Sequence, residues 1–120
     1  MAKGRRVFRV AERVREIVAL QLLQMTDPRF SLVTVTSASI SPDLRNAKVY
    51  WSVVGGKERT EEVREAFRHA EHIFRRALAK ELSVRFVPEI RFYYDDTADT
   101  AATVDALLKR IATDNSEEVP

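Results

Sequence analysis

Between residues 64 and 80 the side chains are spaced for phosphate recognition. Arg64, Arg68, His72, Arg75, Arg76 and Lys80 recur at helical intervals. With Arg64 at zero and about 100° per residue, Arg75 falls at about 20°, Arg68 at about 40° and His72 at about 80°. Arg76 follows at about 120° and Lys80 at about 160°. One helix face would therefore present a ridge of guanidinium groups. A guanidinium is a planar fork that pairs bidentately with phosphate, whereas lysine acts as a point charge. Such contacts grip a nucleic-acid backbone without reading its sequence. The same face also suits solvated pairs such as Glu61–Arg64 and Glu71–Arg75, each worth a few tenths of a kcal/mol, and the two readings are compatible.

A second basic cluster, Lys3, Arg5, Arg6, Arg9, Arg13 and Arg15, stands near the N-terminus. A basic arm joined to a helix start is a common grip on a phosphate backbone. Tyr50 and Tyr93 fall on the strand phase opposite the core pattern of Trp51, Phe67, Phe74 and Phe92. They either stack bases or are partly buried, and burial is the expectation. His69 and His72 lack the His-Glu-x-x-His spacing of a zinc helix.

Catalytic chemistry has no foothold. The only glycines are Gly4, Gly55 and Gly56, so no Gly-rich phosphate loop exists. No nucleophile elbow is present. Asp95, Asp96 and Asp99 are acidic residues just before a helix, where the dipole favours them. The chain is expected to be non-enzymatic, without cofactor or metal.

Of 20 basic residues, 15 are arginine. Residues 1–94 hold 18 Lys/Arg against 11 Asp/Glu, while residues 95–120 hold 2 against 7. A basic body with an acidic end fits nucleic-acid binding. The chain has 120 residues and no cysteine. That suits one domain without disulfides or thiolate metal sites. No apolar run approaches the length of a membrane span, and the basic N-terminus lacks the apolar stretch of a signal peptide. A cytoplasmic monomer with no membrane association is expected.

The elements that must position these residues follow from periodicity. Residues 1–8 read as a mobile basic arm. A helix spans Val10 to about Met25, with Val10, Val14, Ile17, Val18 and Met25 on one face. Leu20 and Leu23 lie off that face, which suggests cover on more than one side. Asp27-Pro28-Arg29 ends this helix. A Val/Thr-rich strand from Leu32 to Ile40 shifts its apolar phase between Val35 and Ala38, the mark of a bulge. Ser41-Pro42-Asp43-Leu44 is a turn. Asn46 to Val54 forms a second strand, antiparallel to the first, with Ala47, Val49, Trp51 and Val53 inward.

Gly55-Gly56 breaks the chain, and Thr60 is the expected N-cap of the ridge helix. Its apolar stripe is Val63, Ala66, Phe67, Ala70, Ile73, Phe74, Ala77 and Leu78. A third strand covers about Pro88 to Tyr94. A weaker helix follows from Ala98 to Ala112, then a frayed acidic tail at 113–120. The result is a single α+β domain over 1–112, with helices packed on one face of a three-stranded sheet.

Five strings then meet in order. They are Asp27-Pro28-Arg29; Val33-Thr34-Val35-Thr36; Ser41-Pro42-Asp43-Leu44; Ala47-Lys48-Val49-Tyr50; and Val87-Pro88-Glu89-Ile90-Arg91-Phe92-Tyr93-Tyr94-Asp95. Together they resemble the bacterial ribosome-binding factor A family over roughly residues 5–112. The resemblance implies a KH-like fold of type II topology. It also implies an RNA-binding factor of 30S ribosomal subunit assembly, acting on 16S rRNA maturation and on growth in the cold. In that family an Ala-x-Gly kink replaces the Gly-x-x-Gly loop through which ordinary KH domains approach the RNA backbone. Here the matching residues are Ala70, Glu71 and His72. With histidine in place of glycine, a smaller kink is expected. Contact should pass to the side chains of Arg68, Arg75 and Arg76. A protein-interaction module of the same fold is the alternative, motivated by the acidic segment.

Overall fold

A computed structural model describes residues 2–118, with side chains from Gly4 to Ala112. The elements are α1 (Ala2–Leu23), β1 (Val33–Ile40), β2 (Asn46–Val53), α2 (Thr60–Glu81), β3 (Glu89–Tyr94) and α3 (Thr97–Glu118). Short 3-10 turns occupy Pro28–Phe30 and Gly56–Arg59. The sheet order is β1-β2-β3, with β1 antiparallel and β3 parallel to the central β2. This is the α+β, KH-like arrangement expected. No helix among the described residues is long and apolar enough to cross a membrane.

The core lies between the sheet and two helices. Ala47, Val49, Trp51 and Val53 of β2 are buried, as their alternation requires. Val63, Ala66, Phe67, Ala70, Phe74 and Leu78 of α2 face them, and α1 adds Ala11, Val14, Ile17, Val18 and Leu22. Aromatic rings fill the centre. Phe67 stacks on Phe92 at 4.4 Å, Trp51 lies 5.5 Å from Phe67, and Phe30 meets Phe67 edge-on at 4.9 Å. The bulge falls between Val35 and Ser37. The hydroxyl of the extra residue, Thr36, is 2.7 Å from Asp95 Oδ2 and 3.2 Å from Tyr50 O.

Four expectations need correction. The N-terminal arm is helical from Ala2, because Val7 and Val10 pack against the core and draw the helix two turns further back. Arginine is a good helix former, so the basic run does not oppose this. Leu20 and Leu23 are exposed at 57% and 83%, so α1 is covered on one side only. Thr60 does not cap α2: its hydroxyl donates to Lys57 O at 2.9 Å, and Arg59 holds the cap position. Finally, only α1 and α2 pack on the sheet. In α3, residues 97–112 are exposed apart from half-buried Asp99: the stripe of Val104, Leu107, Leu108 and Ile111 joins no part of the core among the described residues. The tail expected to fray ends among residues outside those described. α3 runs as helix to Glu118, with no side chain described beyond Ala112.

Arg59 ties one end of the molecule together. Its guanidinium donates to Ser31 O at 2.6 Å, Arg29 O at 3.1 Å and Glu62 Oε1 at 2.8 Å. Gly55, at φ 105°, makes room for it: a Cβ there would lie 3.0 Å from Arg59 Cδ. A lysine ammonium cannot span these acceptors. Arg59→Lys is therefore expected to lower stability by about 1–3 kcal/mol, seen as a lower midpoint in thermal unfolding. An unchanged midpoint would show that the carbonyls are satisfied without the fork.

Candidate nucleic-acid interface

α2 is unbroken from Thr60 to Glu81, so Ala70, Glu71 and His72 continue the helix. Ala70 is buried in the core, while Glu71 and His72 are exposed. Arg64, Arg68, Arg75, Arg76 and Lys80 are exposed with them, on the face opposite the apolar stripe. The ridge is not uniform. Arg64 pairs with Glu61, and Arg68 with Glu65 at 2.5 Å. The Arg68 bond holds the Glu65 carboxyl below its ordinary value. The expected Glu71–Arg75 pair is absent among the described residues, and Arg75, Arg76 and Lys80 have no carboxylate partner there. Free positive charge thus concentrates in the last turns of α2, where cations also suit the helix dipole.

The antiparallel packing of α1 brings the second cluster to the same place. Arg6, Arg9, Val10 and Arg13 line an open groove of about 520 Å³ with Glu81, Leu82, Ser83 and Val84. Glu81 is the one carboxylate in that lining, 3.8 Å from Arg13 Nη2. Arg13 also pairs with Glu16 at 3.2 Å. Arg5, Arg6 and Arg9 are exposed and unpaired among the described residues. The start of α1 also meets the β1–β2 turn, where Gly4, Arg6 and Val7 border Pro42 and Leu44.

Sequence reasoning missed a third contribution at this end. Glu89 N donates to Arg45 O at 2.8 Å, which sets Arg45 beside the loop before β3. Phe86, 58% exposed, lies with the guanidinium carbons of Arg45 and Arg85 at 5.4 and 5.5 Å from its ring centre. This is cation–π geometry. The Arg85-Phe86 dipeptide in the loop before the third strand was the available signal.

The molecule therefore has a basic pole. It gathers the start of α1, the end of α2, the β1–β2 turn and the loop before β3. The opposite end is acidic. There Asp96, Asp99 and Glu58 border Gly55, Gly56 and Lys57, and α3 departs from them. Tyr94 is bonded to Asp99, and that carboxylate pushes its phenol up to about 12.

The Asp27-Pro28-Arg29 string proves structural. Asp27 accepts from Arg29 N at 2.9 Å and from Arg29 Nη2 at 2.7 Å, which holds its carboxyl below the ordinary range. Arg29 also lies 3.4 Å from His69 Nδ1, so His69 belongs to this clamp. In the turn, Asp43 is held low mainly by Ser41 Oγ, which donates to it at 2.5 Å.

Known proteins resemble the chain in sequence and in fold. The model of the family "Ribosome-binding factor A" matches residues 6–108. A ribosome-binding factor A of Desulfatibacillum aliphaticivorans is 36% identical over 113 residues, covering 93% of this chain and 92% of that one. The crystal structure of ribosome-binding factor A from Thermus thermophilus superposes with a TM-score of 0.66. It has 24% identity and covers 73% of this chain and 94% of that one, a likeness of fold. A homology model of Thermus thermophilus ribosome binding factor A was fitted into a cryo-EM map of a 30S complex. It gives a TM-score of 0.60 at 26% identity, with 71% and 90% of the two chains covered.

Proposed function

This chain belongs to the ribosome-binding factor A family, and on that premise we propose that it is a non-enzymatic assembly factor that binds free 30S subunits. It grips 16S rRNA through the basic pole: Arg5, Arg6, Arg9 and Arg13 of α1, with Arg75, Arg76 and Lys80 of α2. Arg64, Arg68 and His72 flank that grip. The observation that carries this reading is that Arg6, Arg9 and Arg13 of α1 line a groove with residues 81–84. That groove holds a single carboxylate and lies just past the last turns of α2, which carry Arg75, Arg76 and Lys80. The relative fitted into a 30S complex supports the choice of partner.

The mechanism is occupancy. A factor that binds one local rRNA conformation more tightly than its alternatives shifts the population toward it. That is how it assists late maturation and processing of the 5′ end of 16S rRNA, and why it matters most in the cold, when misfolded RNA escapes slowly. It acts as a cytoplasmic monomer, and no side chain performs bond chemistry.

Co-sedimentation with purified free 30S particles tests this. With about four phosphate contacts, binding should weaken roughly a hundredfold between about 50 and 200 mM salt. No association, or association indifferent to salt, would count against the basic pole. The protein-interaction alternative keeps one observation of its own, the exposed stripe of Val104, Leu107, Leu108 and Ile111 on α3. Salt-insensitive association would favour it.

A further inference from the structure

The helices cover one face of the sheet, and the other face is open. Two of its registered rows span all three strands. In one, Ser37 lies opposite Tyr50, which lies beside Tyr93. In the next, Ser39 lies opposite Lys48, which lies beside Arg91. The tyrosine rings are 5.7 Å apart and tilted by 32°. Tyr93 is 38% exposed and Tyr50 half-buried. Lys48 and Arg91 are exposed, and neither has a carboxylate partner among the described residues.

We propose that this open face is a second RNA site, distinct from the helix-side groove, which stacks unpaired bases of a single-stranded segment on Tyr50 and Tyr93 while Lys48 and Arg91 hold its phosphates. Three observations select that occupant. First, two neighbouring, partly exposed phenol rings 5.7 Å apart stand in one row with the Ser37 hydroxyl, which suits base stacking, a mode that needs no base-specific donor. An apolar protein partner would find no aliphatic side chain in either row.

Second, charge complementarity favours a polyanion. The carboxylates near the rows are Glu89, at the start of β3, Asp95, just past its end, and Glu71 of α2, which lines one pocket with Arg91 but shares it with the Arg68 guanidinium. Asp95 is already committed to the Thr36 hydroxyl at 2.7 Å and the Thr97 hydroxyl at 2.5 Å. Third, the cationic row is the one nearer the basic pole, at the end where Arg45, Arg85 and Phe86 stand. A strand leaving the pole would meet cations first and aromatic faces next. Duplex RNA does not fit this chemistry, because its bases are already stacked on one another.

The site rests on side chains that the groove does not use, so the two can fail separately. The experiment uses the full-length chain and a fluorescein-labelled ten-nucleotide oligouridine, followed by anisotropy and by amide chemical shifts. Oligouridine should shift Ser37, Lys48, Tyr50, Arg91 and Tyr93. Tyr93→Ser should weaken it about five- to a hundredfold. Lys48→Gln with Arg91→Gln should lower the salt slope by about 1.4, and because both residues are exposed that variant guards against a folding defect in the first. A hairpin duplex should bind the parent and Tyr93→Ser alike.

Shifts confined to 60–84 and the start of α1, with Tyr93→Ser and the double variant binding as the parent does, would overturn the open-face site and leave the basic pole intact. Open-face shifts that survive Arg75→Glu/Arg76→Glu would support it even if the pole failed. If oligouridine leaves the face untouched while 30S particles broaden it, the occupant is protein and the proposal falls.

Discussion

Arg75→Glu combined with Arg76→Glu is expected to weaken binding to free 30S particles on the order of a hundredfold at moderate salt, with the fold unchanged. Both residues are exposed and lack a carboxylate partner among the described residues, so reversing them removes two contacts and adds two repulsions. The matched control is Arg64→Glu with Arg68→Glu. Those arginines already face Glu61 and Glu65, so part of their charge is neutralised before RNA arrives. Their reversal should cost clearly less. Sedimentation binding curves for the two pairs, with circular dichroism to check folding, decide the matter. Equal losses would mean that the whole ridge binds uniformly. No loss from the first pair would remove α2 from the interface.

Trp51→Ala should be the most damaging core substitution. The indole is 0% exposed at the centre of β2 and packs against Phe67 and Tyr94 at 5.5 and 5.1 Å. Truncating such a ring costs about 3–5 kcal/mol, a large part of the ~5–15 kcal/mol that holds a domain together. Trp51→Phe should be much milder. The indole Nε1 is buried without a hydrogen-bond partner among the described residues, so phenylalanine removes an unpaired donor while keeping most of the apolar surface. Urea denaturation of both variants tests this. Similar losses would show that the indole nitrogen contributes a bond after all.

The apolar periodicity made most of the architecture legible. The stripe of α2 and the alternation of β2 each name their buried residues almost one for one, because both elements have a wet side and a dry side. Even the bulge at Thr36 was visible, since a change of strand phase has few other causes. Polar details were harder. Thr60 has the chemistry of a cap, yet the preceding 3-10 turn captures its hydroxyl, and composition does not reveal that competition.

The candidate site was legible as residues but not as a place. Arg6, Arg9 and Arg13 are more than 60 positions from Arg75 and Arg76. Only the antiparallel packing of α1 on α2 brings the start of one helix to the end of the other. The Arg45–Phe86–Arg85 cluster escaped for the same reason, being assembled by a backbone bond between Glu89 and Arg45. The ridge also looked even in sequence, and its division into a neutralised half and a free half depends on which glutamates lie in reach.

The mixed pairing of β2 also bears on how the chain reaches its fold. β1 and β2 are joined by a tight turn, so their antiparallel pairing closes a short loop at little entropic cost. The parallel pairing of β2 with β3 closes residues 54–88, the whole of α2 included, and such non-local contacts form late. Trp51 stands on the seam, opposite Val35 in the hairpin and beside Tyr94 in the parallel pair. Its burial is completed only when α2 and β3 arrive. The chain's single tryptophan is therefore a clock for the slower event and nearly blind to the faster one.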